Sequence, residues 1–395
     1  MARLQQTGSS KKSRYGGGSI TKLPSGSWIV KWYGPADQDG NRKRLAHTVK
    51  SSKGAANKKL RELQSAVDDG THVDKSKVTV KEFAATWMET YVATNCTLRT
   101  AKGYQGNIDR YIIPYIGKVA VQNLATTQIQ GIYAVLLERG LSHTTVLHTH
   151  RVLKQILGYA VKSNPPVIAK NPADAATPPK REKKQMAMWD VPTIHRFLDE
   201  SKGTRYGHIF DFAINTGMRR SEICGLRWYA VDLVAGRLEV VATLQQIRGH
   251  GLVTGAPKTK KSRRNLTLSS DTVALLQAVQ GAQILAKDDA GPLWQNTGYV
   301  FAQANGSPVL PDSLTAGFAA LVKELELPHL SFHGLRHGNA TLALLAGINP
   351  KIVSEALGHS SVTITLDTYS HVLPNMQDGM ANAVATLLKR STNID

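Results

Sequence analysis

SFHGLRH (331–337), LGHSS (357–361) and LDTYSH (366–371) place His333, Arg336, His359 and Tyr369 in one C-terminal stretch, separated by apolar sequence of helical character. Upstream, TGMRRSE (216–222) supplies a second arginine candidate, Arg219. Two arginines, two histidines and a tyrosine are the groups a phosphodiester needs around it when a phenol attacks. The non-bridging oxygens are anionic, and guanidinium forks meet them with paired, directional hydrogen bonds that an ammonium cannot match. One such preorganised donor is worth about 3–4 kcal/mol in a transition state. A phenol with a pKa of about 10 is ionised to roughly one part in a thousand at pH 7, so it needs a base or a strongly electropositive site. His333 or His359 can serve. The departing 5′ oxygen wants a proton. Lys258, in APKTKKSRR (256–264), stands between the predicted strands RLEVVATL (237–244) and RRNLTLS (263–269), where a hairpin would present it for that task. Lys260 and Lys261 follow closely, and the hairpin register decides among the three.

Working outward, the composition is that of a globular chain with an unusual charge. The 395 residues are 42% hydrophobic and 20% charged, enough for two or three cored domains. Lys and Arg number 49 against 29 Asp and Glu, a net charge of +20, which points to a polyanionic partner. Nucleic acid is the leading candidate and a membrane surface the second. No apolar stretch approaches the ~20 residues of a bilayer span, and MARLQQTGSSKKSRYGGG lacks the apolar segment of a signal peptide. Two cysteines, Cys96 and Cys224, exclude a disulfide framework and a thiolate zinc site. A cytoplasmic, nucleoid-associated protein is expected, with double-stranded DNA as its partner and without cofactor, metal or membrane.

The charge is concentrated at one end: residues 1–65 hold 14 Lys or Arg and three acidic residues, a net +11. Within 18–49, Trp28, Val30 and Trp32 alternate with Ile29, Lys31 and Tyr33 between the turns PSG and DQDGN, which predicts antiparallel strands. SSKGAANKKLRELQSAV (51–67) predicts a helix, and together they make a basic sheet that could enter a DNA groove. Thr79 and Glu82 form a capping box opening a helix whose buried stripe is Phe83, Trp87 and Tyr91. Further helices are predicted over 98–113, ending before Pro114, over 126–139, and from Ser142. His148 and His150 lie two apart on that last helix, so they point in different directions and do not share a metal. SNPPVIAKNPADAATPPKREKK (163–184), with five prolines and a basic cluster, predicts a stiff linker. One larger domain of helices around short strands follows.

T-G-x-R-x-x-E, a hairpin lysine, H-x-x-R, L-G-H and a tyrosine ten residues after that histidine occur in order between residues 216 and 369, and together they resemble the tyrosine recombinases of phage and mobile-element integrase type. The resemblance covers nearly the whole chain. It implies a multidomain fold, mainly α with small β-sheets: a basic arm-type DNA-binding domain (1–70), a helical SAM-like core-binding domain (78–165), a Pro-rich basic linker (166–186) and a mixed α+β catalytic domain (187–395). It also implies roles. Arg219 and Arg336 would hold the scissile phosphate, Lys258 would protonate the 5′ oxygen, and His333 would be the acid/base partner of the nucleophile. His359 would hydrogen-bond the phosphate, Glu222 would buttress the site, and Tyr369 would form a 3′-phosphotyrosyl link. The T-G-x-R spacing selects Arg219 over Arg220.

The activity so implied is integration and excision of a phage or mobile element by a homotetramer on core and arm-type sites, with DNA-bending and excisionase proteins as accessory partners. MANAVATLLKR (380–390) could be the segment exchanged between protomers. Two rivals share parts of this pattern. A type IB topoisomerase-like enzyme would use the same chemistry without strand exchange, and a DNA-binding regulator would keep the residues without using them.

Overall fold

The computed structural model describes residues 17–36, 39–70, 72–180, 188–257 and 262–369, the last three without their side chains. They belong to two compact units, Met1–Lys183 and Lys184–Asp395.

The first unit opens with an antiparallel sheet of β1 (Ser19–Lys22), β2 (Trp28–Ala36) and β3 (Arg42–Val49), in that order. The alternation in β2 sends Val30 and Trp32 into a small core with Ala56, Leu60 and Leu63 of helix α1 (Lys53–Asp68). Lys31 and Tyr33 therefore belong to the other face, where the register sets them opposite Ala46 and Arg44 of β3. One face of the sheet is core, and the other is basic and uncovered by α1.

The helical part begins at the predicted capping box: Glu82 accepts from the Thr79 N–H at 2.9 Å, and Thr79 Oγ1 accepts from the Glu82 N–H at 3.3 Å. Helix α2 (Val80–Trp87) buries Phe83 and Trp87 as expected, but Tyr91 is 39% exposed and Val92 takes the buried place. A π turn over Met88–Val92 inserts one residue, so the stripe skips from Trp87 to the fifth residue after it rather than the fourth. A second π turn, Ile108–Ile112, follows α3 (Leu98–Asn107), and the chain stays helical through Pro114 to Ile116. Pro114 falls where the π turn passes into the next α turn, in its first two residues. Helices α4 (Thr126–Glu138) and α5 (His143–Lys162) complete the bundle. His150 is buried and bonded to the Tyr133 hydroxyl at 2.7 Å, whereas His148 is exposed, so the two do point apart.

The proline-rich segment is only partly a connector. Ile168, Ala173 and Ala176 are buried in the helical core, and side chains at Gln122, Thr126 and Gln130 donate to the carbonyls of Val167, Pro172 and Thr177. Prolines that prevent a helix here fix an extended strap along α4.

The second unit is built on α6 (Val191–Ser201), α7 (Gly207–Thr216) and α8 (Arg220–Gly225), then β4 (Val231–Asp232), β5 (Arg237–Glu239), β6 (Thr243–Ile247), β7 (Gly251–Gly255) and β8 (Asn265–Thr267). Helices α9 (Ser270–Ala290), α10 (Pro311–Glu324), α11 (Phe332–Leu345), α12 (Pro350–Leu357) and α13 (Val362–Tyr369) follow. The stretch 237–244, expected as one strand, is two: β5 pairs in the sheet β4-β5-β8, while β6 pairs with β7 in a separate hairpin. The first part of that stretch, β5, pairs antiparallel with β8, the other predicted strand, and Lys258 lies outside the described residues. At the core centre Phe318 meets Phe197, Phe210 and Phe332 at ring-centroid distances of 5.2, 5.4 and 5.7 Å. Phe332 is the first residue of α11, so this packing fixes the helix that carries His333 and Arg336.

Candidate active site

Two glycine turns shape the site. Gly217 ends α7 with φ +60° and Gly358 ends α12 with φ +66°, both in the left-handed region that a side chain disfavours. A Cβ on Gly217 would also stand 2.6 Å from Asn339 Oδ1 and 2.7 Å from Leu357 Cδ2. These tight turns deliver their carbonyls to the two arginines. Arg336, 3% exposed, donates to Gly217 O at 2.8 Å and Leu357 O at 2.6 Å. Arg219 donates to Gly358 O at 3.0 Å. Both guanidinium groups are therefore held by backbone of the 357–358 corner, and Arg336 by Gly217 as well.

Glu222 locks Arg219 from below. Arg219 is the N-cap of α8, and Glu222, three residues on, accepts from its backbone N–H at 2.9 Å and from its guanidinium at 2.7 Å. Arg264 closes the carboxylate from the other side at 3.2 and 3.0 Å and also donates to Ala356 O at 2.5 Å. The Glu222 and Arg264 side chains are 2% and 6% exposed. Burial alone would push the Glu222 carboxyl up, but the bonds and charges of Arg264 and then Arg219 outweigh it and leave the group below its ordinary value. Arg220, the rival candidate, turns away to Thr315 and the Pro311 carbonyl of α10.

The histidines join the same field. Burial, then the positive charges of His337, Arg336 and Arg219, lower His333 to about 4, although part of its ring faces solvent. Burial, then Arg336, Arg219 and His337, lower His359 to about 4. The His359 ring is held through Nδ1, 2.8 Å from Oγ1 of the buried Thr365. The His337 ring stands edge-on to His333 at 4.8 Å. A recess of about 580 Å³ opens beside His359, lined by Arg263, Arg264, Lys351 and Ser360 among others.

Arg219, Glu222, His333, Arg336 and His359 thus converge. Tyr369 ends α13, the helix after His359; its side chain and the whole of Lys258, Lys260 and Lys261 lie outside the described residues. Sequence reasoning missed Arg264 and Thr365. Arg264 had a signal: it shares the strand parity of the buried Leu266 and Leu268, so it faces inward. An inward arginine implies a buried acid.

A recess of about 980 Å³ lies in the first unit, with Trp87, Tyr91 and Tyr159 beside Arg151, Lys154 and Lys162. Among the described residues no helix is long and apolar enough to cross a membrane.

Residues 184–376 match the phage integrase family, and residues 79–137 match the phage integrase N-terminal SAM-like domain. A tyrosine recombinase XerC-like protein of Caldanaerobacter subterraneus is 29% identical over 371 residues, which is 89% of this chain and 93% of that one. The Tn1549 transposon integrase, solved with transposon right-end DNA, superposes with a TM-score of 0.68 at 22% identity over 78% of this chain and 99% of that one. Lambda integrase, solved as a tetramer on a Holliday junction, gives 0.55 at 16% identity over 88% and 94%. These two structural likenesses are of fold.

Proposed function

Since the chain belongs to the phage integrase family of tyrosine recombinases and is a site-specific DNA recombinase, we propose that Tyr369 is its nucleophile and that Arg219, Arg336, His333, His359 and Lys258 are its catalytic groups. The observation that carries the assignment is the convergence of both arginines and both histidines on one corner, with the helix that ends at Tyr369 following directly.

The steps follow from these positions. Arg219 and Arg336, oriented by the carbonyls of Gly358, Gly217 and Leu357, meet the non-bridging oxygens of the scissile phosphate with their guanidinium charge. His359 donates a further hydrogen bond. His333 accepts the phenolic proton as Tyr369 attacks phosphorus. A base lowered to about 4 is weak; burial is the first cause and the neighbouring positive charges add to it, and a bound phosphate offsets the part that comes from the arginines. The P–O5′ bond breaks as Lys258 protonates the leaving oxygen. The products are a 3′-phosphotyrosine and a free 5′-hydroxyl. A 5′-hydroxyl from the partner duplex then reverses the step, and a second round resolves the four-way junction. The phosphotyrosine conserves the energy of the phosphodiester, so no ATP is consumed.

The reading extends to the whole complex: four copies on DNA, the catalytic and helical parts at core sites, and the face of β2 and β3 opposite α1, with Lys31 and Arg44, at arm-type sites. DNA-bending and excisionase proteins would assist, in the nucleoid of a bacterial cell. The basic and aromatic recess of the helical part supports backbone contact there. The test is to incubate the protein with host and element DNA and sequence the new junctions. Recombinant joints at a common core are expected; relaxation of supercoiled plasmid without any joint would favour the topoisomerase-like alternative.

A further inference from the structure

His359 is held from the helix that ends at Tyr369. Its Nδ1 lies 2.8 Å from Thr365 Oγ1, and Thr365 is 0% exposed. Among the described side chains of α13, Thr365 is the buried one; Val362, Ile364 and Leu366 are 38%, 42% and 40% exposed. Tyr369 stands four residues, one helical turn, beyond Thr365. An eight-residue helix has little stability of its own, so its placement depends on such tertiary contacts.

We propose that Thr365 is a positioning residue for strand cleavage: its hydroxyl donates to Nδ1 of His359, which fixes the ring as the Nε2–H tautomer, and the same bond registers the Tyr369 helix against the phosphate-binding corner. The inference rests on the recombinase reading above. A neutral imidazole has one donor and one acceptor nitrogen, and the hydrogen bond made by one sets the role of the other. For His359 to donate to a phosphate oxygen, Nε2 must carry the hydrogen, so Nδ1 must accept. A hydroxyl is a suitable neighbour because it can rotate to donate. Burial and the nearby arginines hold His359 neutral at physiological pH, so its tautomer and not its charge decides whether it can donate. Threonine adds a stiff χ1, which keeps the oxygen aimed at the ring. Valine would have the same shape and fill the same space without the donor.

Three readouts test this on the full-length protein. In wild-type protein labelled with ¹⁵N-histidine, the His359 signal, assigned by its loss in His359→Gln, should show a protonated Nε2 and an unprotonated Nδ1. A ring protonated at Nδ1 overturns the proposal without any Thr365 variant. Single-turnover cleavage of a nicked suicide duplex should fall at least about tenfold in Thr365→Val, the factor one hydrogen bond carries, with DNA affinity and melting temperature close to wild type. Thr365→Ser, which restores the donor, should recover most of the rate. The Thr365→Val defect should persist on a substrate with a bridging 5′ sulfur, because an easier leaving group does not correct the nucleophile's placement. Equal rates for Thr365→Val and wild type, or no recovery with serine, overturn the proposal while leaving the enzyme a recombinase. No adduct from the wild type would instead overturn the recombinase reading itself.

Discussion

At Glu222 two guanidinium groups share one carboxylate, Arg219 from the site and Arg264 from the strand side. Removing Arg264 leaves a buried, half-paired carboxylate, a change that typically costs about 3–5 kcal/mol. Arg264→Gln should show that loss in urea unfolding, and Arg264→Lys, lacking the fork, should recover only part of it. In the double variant with Glu222→Gln the two losses should not add, because one network is broken twice; additive losses would mean the pair is not coupled. The histidines make a second prediction. His333 and His359 titrate near 4 when folded and near 6.5 when unfolded, so between those values the unfolded chain binds more protons. Stability should therefore fall as pH drops from about 6.5 to 4, and His333→Gln or His359→Gln should flatten that fall. A slope unchanged in both variants would contradict the field described here. Arg219 was legible from its T-G-x-R spacing, and strand parity marks Arg264 as inward, but nothing local says that the acid it meets is Glu222.

The elements were legible where periodicity stays regular and obscure where one residue breaks it. The capping box at Thr79 and the alternation in β2 are local signals and match the structure. The π turn at Met88–Val92 is set by packing, and it moves the buried stripe from Tyr91 to Val92 without a sequence mark. Accordingly Trp87→Ala should cost about 3–5 kcal/mol of stability, Val92→Ala should be felt as a core truncation, and Tyr91→Ala should cost only about 1 kcal/mol, that of its ring contacts with Trp87 and Tyr159. A large loss at Tyr91 would restore the regular helix. The splitting of 237–244 between two sheets was likewise hidden, since a run of strand-forming residues without a turn signal does not say where a chain changes partners. On the face of the N-terminal sheet opposite α1, Lys31→Ala and Arg44→Ala should each lower the salt dependence of DNA binding by about 0.9 in slope if that face meets DNA phosphates. An unchanged slope would remove the sheet from the DNA interface.

At the scale of the molecule, the charge of +20, more than half of it within residues 1–65, draws the chain to a polyanion, and composition alone made that visible. Family membership follows from motifs in order along the chain, whereas the corner at which they meet depends on Gly217 and Gly358 turning two helices toward each other. Deleting residues 378–395 should abolish strand exchange if that segment links protomers, as read from its helical spacing; full activity after deletion would exclude the exchange. The most direct test of the account is a nicked suicide duplex carrying the core site, resolved on a denaturing gel after incubation with protein. Wild type should form a covalent protein–DNA adduct at the 3′ side of the break, and Tyr369→Phe should form none while binding the DNA as tightly. An adduct that survives in Tyr369→Phe would contradict the assignment of the nucleophile.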